Sequence, residues 1–280
     1  MWNWTFRGGL AIATLGLVWT LWPAPGARAY NAYHWGRSRY RHGPRVAIDL
    51  AHFDDAPADA RFLALGDLLT WDGYRVSRSR QYLVPEYLKD ISVLVIGNPM
   101  PYPAGLIRVT KWLGPRPALA REEVESVRDW VRGGGALLLE ADAPGSAQGT
   151  APLAAAFGIA FHECSAPVFL REAGLGEHAI LRGASERNER VDRAVVLAGG
   201  WIEAGAPAVA LLNAPAAAAG SCAAGKPLAV AVEFGRGRIV ALSAQLERNE
   251  DLIRSSVVDP RFADNRQFVL NALHWLSRGD

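Results

Sequence analysis

The chain has 280 residues, half of them hydrophobic and 21% charged, with 28 glycines and 17 prolines. That supplies one sizeable core or two small ones and excludes both a disordered chain and a fibrous repeat. The formal charge is +2, and both surplus cations, Arg7 and Arg28, lie in the first 29 residues, which hold no acid. The rest of the chain balances at zero, which argues against nucleic acid as a partner.

Residues 1–29 read as a secretory signal: Arg7 is the positive start, Leu10 to Trp22 the apolar stretch, and Ala27-Arg28-Ala29 a small-x-small cleavage site before Tyr30. The apolar stretch is short of the roughly 20 residues that span a bilayer, and Pro23 and Pro25 stop it from lengthening. A periplasmic or secreted location follows, with an uncleaved signal anchor as the alternative. Membrane association is then confined to the N-terminal segment. In an oxidising compartment Cys164 and Cys222 have three readings: a disulfide, two inert thiols, or a reactive thiol. Their separation of 58 residues matches no common zinc spacing.

Residues 30–44 form a basic aromatic lead, and with Arg45 they carry four arginines and no acid. This is read as a solvated linker rather than a membrane-surface or acidic-partner contact. From residue 45 to 280 a single domain is expected. VAIDL (46–50) suits a buried strand, and Ala58 to Trp71 places Phe62, Leu65, Leu68 and Leu69 on one helical face before Gly73. Tyr74-Arg75-Val76 opens a second strand, Pro85 to Lys89 a short helix, and ISVLVIG (91–97) a central parallel strand. Arg121 to Arg132 is an amphipathic helix, with Val124, Val127, Trp130 and Val131 inward and Gly133–Gly135 as its stop. ALLLEAD (136–142) is the next strand, and a helix is expected to start at Pro152 with Thr150 as its cap.

Residues 158–225, rich in Ala, Gly and Pro, carry less regular patterning. PLAVAVEF (227–234) and RIVALSA (238–244) then form a hairpin about Gly235-Arg236-Gly237, and Arg266 to Leu276 closes the chain as a helix capped by Asp264. Strands and helices that alternate with short connections define an α/β, doubly wound, mostly parallel sheet.

Several phrases resemble the class I glutamine amidotransferase-like superfamily, in its exported branch similar to ThuA-like and gliding-motility ABC auxiliary domains. They are VAIDLAHFDD, LKDISVLVIGNP, EEVESVRDWVRGGGALLLEAD, LAAAFGIAF, EHAILRG, VEFGRGRIVALS and DNRQFVLNALHWL, spread from Val46 to Leu276. The resemblance implies a flavodoxin-like sheet with an added β-hairpin and C-terminal helix. Amidotransferases of this class place a cysteine on a strand-to-helix turn, exposed near N–H donors and a base. Here the turn after the fourth strand reads Glu140-Ala141-Asp142-Ala143-Pro144-Gly145-Ser146, without cysteine. Ser146 lacks the G-x-S-x-G spacing of a hydrolase elbow. Cys164 and His162 share one face of an extended run, with nothing to expose them on a turn.

In an open α/β sheet, ligands gather beyond the carboxyl ends of the strands. Asp49, His52, Asp54, Asn98, Asp142 and His178 are the ligand-binding candidates there, with Glu140, Ser243 and Gln245 beside them. Asp49, His52, Asp54, Asp142 and His178 suit a divalent metal by donor type, but no metal-binding spacing supports one, so no cofactor is expected. Neither glycine cluster follows a strand and opens a helix, as a phosphate loop must. The expected function is a non-catalytic cell-envelope binding or assembly module that takes an envelope protein or a small polar ligand. Two alternatives stand beside it, a metal-assisted hydrolase of a glycan or amide and an accessory subunit of an envelope ABC transporter.

Overall fold

The computed structural model describes residues 38–52, 62–102, 116–142, 145–164, 169–187, 189–198, 200–216, 222–245 and 264–278. The apolar runs of the first half become β1 (Arg45–Asp49), β2 (Arg75–Ser79), β3 (Val93–Gly97) and β4 (Ala136–Glu140). They lie side by side in the order β2-β1-β3-β4, all parallel. Every residue of β3 and β4 is buried, which explains the unbroken hydrophobic runs.

The middle of the chain, irregular by sequence, is mostly strand: β5 (Ile159–Glu163), β6 (Phe169–Leu175), β7 (Ala194–Ala198), β8 (Gly200–Ala204) and β9 (Val209–Asn213). The hairpin β10 (Pro227–Phe234) and β11 (Gly237–Leu242) follows as expected, then the short β12 (Ala244–Gln245). Strand β11 docks parallel to β4, and β10, β9, β6, β7 and β12 extend the sheet antiparallel. The doubly wound α/β core is therefore present, with an antiparallel wing larger than the single hairpin expected. Strands β5 and β8 form a separate two-stranded ribbon.

Helices α1 (Leu63–Trp71), α2 (Pro85–Leu88), α3 (Arg121–Arg132), α4 (Ser146–Ala155), α5 (Ala179–Arg182) and α6 (Asn265–Ser277) complete the chain. Val127 and Val131 of α3 and Leu153 and Ala154 of α4 pack with Ala47, Leu94, Ile96, Leu137, Leu139, Ile239 and Ala241 on one sheet face. Strand residues alternate between faces, so Val46, Val93, Leu138 and Val240 point to the other side, where α6 packs on β3, β4 and β11. Helix α6 buries Phe268, Val269, Ala272, Trp275 and Leu276, the face its spacing predicts, and Leu273 as well.

Three helix starts differ from expectation; α1 begins at Leu63, because Phe62, expected on its inner face, takes a left-handed φ of 55° just before it. Helix α4 starts at Ser146 rather than Pro152, because Gly145 adopts a left-handed φ of 88° that turns the chain directly into the helix. Pro152 lies inside the helix, and Thr150, instead of capping, donates its hydroxyl to the Ser146 carbonyl at 2.6 Å. Asp264 precedes α6, but its carboxylate accepts the N–H groups of Asp192 (3.0 Å) and Arg193 (2.7 Å) rather than capping its own helix.

The residues just before β1 lie against the domain: Arg39 N–H donates to Asp72 Oδ1 (2.8 Å), Tyr40 N–H to Asp72 O (3.1 Å) and Gly43 N–H to Gly73 O (2.8 Å). The expected signal segment and the start of the lead lie outside the described residues. Among the described residues, no helix is long and apolar enough to cross a membrane.

Candidate functional site

The carboxyl ends of β1, β3 and β4 carry a buried polar layer. Asp49 ends β1, Glu140 ends β4, and Asn98 follows β3. Each is nearly or fully buried, as are His52, Glu123, Asp142 and Ser146. Such groups are tolerated only when hydrogen-bonded, so their partners define what the layer can do.

His52 lies between two carboxylates. Its Nδ1 is 2.7 Å from Asp49 Oδ2 and its Nε2 is 3.2 Å from Glu123 Oε2. Ionised carboxylates only accept, so each ring nitrogen faces an acceptor, an arrangement that favours the imidazolium over the neutral ring. Burial disfavours that charge, but Asp49 and Glu123 outweigh it and hold the pKa above the ordinary histidine value. Burial likewise opposes ionisation of Glu123. The N–H groups of Leu83 (3.0 Å) and Ala120 (3.0 Å), together with His52, outweigh it and hold the carboxyl below the usual range. Asp49 Oδ1 accepts the Ala51 N–H at 3.0 Å, tightening the turn that brings His52 back over β1.

Asn98 and Asp142 form a second closed pair. Asn98 Nδ2 donates to Asp142 Oδ1 at 2.6 Å, and the Asp142 N–H donates to Asn98 Oδ1 at 2.8 Å. The two contacts fix the amide orientation and lock the end of β3 to the end of β4. Asn98 sits at φ 45°, a left-handed conformation that asparagine tolerates better than most residues. Beyond it the chain presses on α4: a Cβ on Gly149 would stand 2.0 Å from the Pro99 carbonyl oxygen, so this approach requires glycine. Tyr102, in the same loop, has a buried hydroxyl without a hydrogen-bond partner among the described residues.

The candidates thus sort into groups. Asp49 with His52, and Asn98 with Asp142, lie at the same strand edge as expected. Asp54 lies outside the described residues. His178 does not join them. It packs edge-on to Trp275 at 5.0 Å, near the end of α6, whose Trp275 carbonyl accepts from Arg238 at the start of β11. That is the amino end of the parallel strands. Sequence reasoning missed Glu123, reading it only as part of a helix. The available signal was its place at the third position of α3, where a glutamate reaches back to the helix start.

Neither the two cysteines nor Ser146 supplies the nucleophile that the turn lacks. Cys164 and Cys222 form a disulfide, which settles the three readings. His162 stacks on Trp201 at 3.9 Å and pairs with Glu203 at 3.0 Å, apart from any thiol chemistry. Ser146 is fully buried. Among the described residues, no group of three or more His, Cys, Asp or Glu side chains is arranged to hold a metal ion.

No protein-family model and no curated protein sequence matches this chain. Solved structures match it in fold. The mmIFT52 N-terminal domain aligns with TM-score 0.56 at 12% identity, covering 84% of this chain and 98% of that one. Cytoplasmic protein STM3548 from Salmonella typhimurium aligns with TM-score 0.53 at 15% identity, covering 83% and 98%. A ThuA-like protein from Bacteroides uniformis aligns with TM-score 0.52 at 11% identity, covering 87% and 94%. Likeness at such identity defines the fold alone. The chain therefore shares the α/β fold of that ThuA-like protein.

Proposed function

We propose that this chain is a non-catalytic binding or assembly module of the cell envelope, exported by its N-terminal segment with cleavage after Ala29. One observation carries the reading: Asp49, His52, Glu123, Asn98 and Asp142 at the ligand edge are engaged with one another in two hydrogen-bonded sets. His52 is bound at both ring nitrogens by Asp49 and Glu123, which favours its protonated form, and Asn98 closes on Asp142. A general base needs a neutral imidazole with a free nitrogen, and here both nitrogens are taken. The disulfide between Cys164 and Cys222 supports export, because such bonds persist in oxidising compartments. The Tyr102 hydroxyl supports a polar ligand or partner at this edge, since an unmet buried hydroxyl costs about 1–3 kcal/mol.

The test is elemental analysis of the exported protein beside its Asp49→Ala and His52→Ala variants. The proposal expects sub-stoichiometric metal in all three. Near-stoichiometric metal that both substitutions remove would overturn it in favour of a metal-assisted hydrolase.

A further inference from the structure

At the amino end of the parallel strands, α5 and the segment Glu189–Asp192 enclose a cleft of ≈ 370 Å³, lined by Leu175, Glu177, His178, Leu181, Arg182 and Val191 among others. That volume falls in the range of small-molecule sites, roughly 300–1,000 Å³.

The cleft is built rather than incidental. Asn271 of α6 donates from Nδ2 both to the Ile180 carbonyl (2.8 Å) on one wall and to the Glu189 carbonyl (2.7 Å) on the other. The Val191 N–H reaches the Leu181 carbonyl at 2.9 Å across its base. The Glu189 carboxylate accepts Arg187 Nε (2.7 Å) and Arg39 Nη1 (3.3 Å), which fixes the second wall from behind. At Gly183 (φ +56°) a Cβ would stand 2.3 Å from the Glu189 carbonyl oxygen, so glycine permits the walls to meet. Leu181 and Val191 are buried at the bottom.

Its polar groups divide by what they already hold. Arg190 Nε donates to Asp192 Oδ1. His178 Nδ1 accepts the Ile180 N–H at 3.2 Å, which places the proton of the neutral ring on Nε2 and makes that nitrogen a donor. Burial, reinforced by the Arg182 charge, holds His178 below the ordinary histidine value and so neutral at pH 7. The Arg182 guanidinium and the Glu177 carboxylate make no hydrogen bond or ion pair with another described residue. Two cations, Arg182 and Arg190, balance two anions, Glu177 and Asp192, which disfavours a dianion or a polycation.

We propose that this cleft binds a small zwitterion with an apolar side chain, of the α-amino-acid kind. Its carboxylate sits on Arg182 and His178 Nε2–H, its ammonium on Glu177, and its side chain on Leu181 and Val191. This site is separate from the strand edge and does not rest on the function proposed above.

The test follows the His178 imidazole resonances of the full chain by NMR during titration with leucine, N-acetyl-leucine and leucinamide. Leucine is expected to shift His178 saturably and to raise the pH at which it titrates, because a bound carboxylate favours the imidazolium. N-acetyl-leucine lacks the ammonium and leucinamide the carboxylate, so each is expected to bind about tenfold more weakly. Arg182→Ala should weaken leucine by about tenfold, and Glu177→Gln should erase its advantage over N-acetyl-leucine. Both substituted side chains are exposed, and an unchanged thermal midpoint shows that the variants fold. Absence of a saturable His178 shift, a shift that survives Arg182→Ala unchanged, or N-acetyl-leucine binding as tightly as leucine would each overturn the proposal.

Discussion

His52 stands 2.7 Å from one carboxylate and 3.2 Å from another, and that placement fixes the sign of its contribution to stability. Its folded pKa is raised above 6.5, so its contribution is complete below 6.5 and is lost as pH rises through the folded value. Glu123 is lowered below 4.5, so its contribution is complete above 4.5 and is lost as pH falls through its own folded value. The network is therefore at full strength between those limits. Urea unfolding of wild type and His52→Asn should show the largest gap there, narrowing on the alkaline side. Glu123→Gln should cost about 3 kcal/mol near neutral pH, since it removes one partner of a buried charge. Asn98→Asp sets a second carboxylate against Asp142, raising the pKa of the pair. That variant should be destabilised at pH 7 and recover as pH falls toward 4, while Asn98→Ala should show no such recovery.

Elements meet this edge through contacts that cross the chain. Glu163, the last residue of β5, accepts the N–H groups of Gly145 (2.7 Å) and Ala147 (3.2 Å) at the start of α4. Its neighbour Cys164 is bonded to Cys222, closing a loop of 58 residues. Loop-closure entropy assigns such a link about 4 kcal/mol, so Cys164→Ser with Cys222→Ser should lower the thermal midpoint measurably, by calorimetry. Glu163→Ala should cost about 1 kcal/mol, as the loss of a helix-start acceptor does. Little of this was legible beforehand. ISVLVIG and ALLLEAD announce buried parallel strands because both their faces are covered. The ribbon strands β5 and β8 are short and half-exposed, so neither period nor hydrophobicity marks them. The disulfide was open because spacing carries no distance information. Thr150 and Pro152 misled because capping and N1 preferences describe a helix start in isolation, whereas Gly145 had already set it.

At the scale of the molecule, one sheet presents two different ends. The carboxyl ends of the parallel strands gather Asp49, His52, Asn98, Glu123 and Asp142, and the amino ends carry His178 and its cleft. Residues on β1, β3 and β4 could be placed at the first end from sequence, because a parallel strand has a known direction. His178 could not, because it precedes the short α5 within the antiparallel part, where chain order does not state which end a loop occupies. Glu123 was hidden because its partner His52 lies 71 residues away. The proposed export predicts that the mature protein begins at Tyr30, which N-terminal sequencing of the secreted or periplasmic fraction checks; an intact start at Met1 would contradict it. The claim on which the account turns is that the polar layer at the strand edge is engaged internally rather than poised for catalysis. The measurement that tests it most directly is a nitrogen-15 NMR titration of His52. The account predicts that the ring loses its proton only above pH 6.5. A neutral His52 at pH 7 that titrates at or below the ordinary histidine value would contradict it.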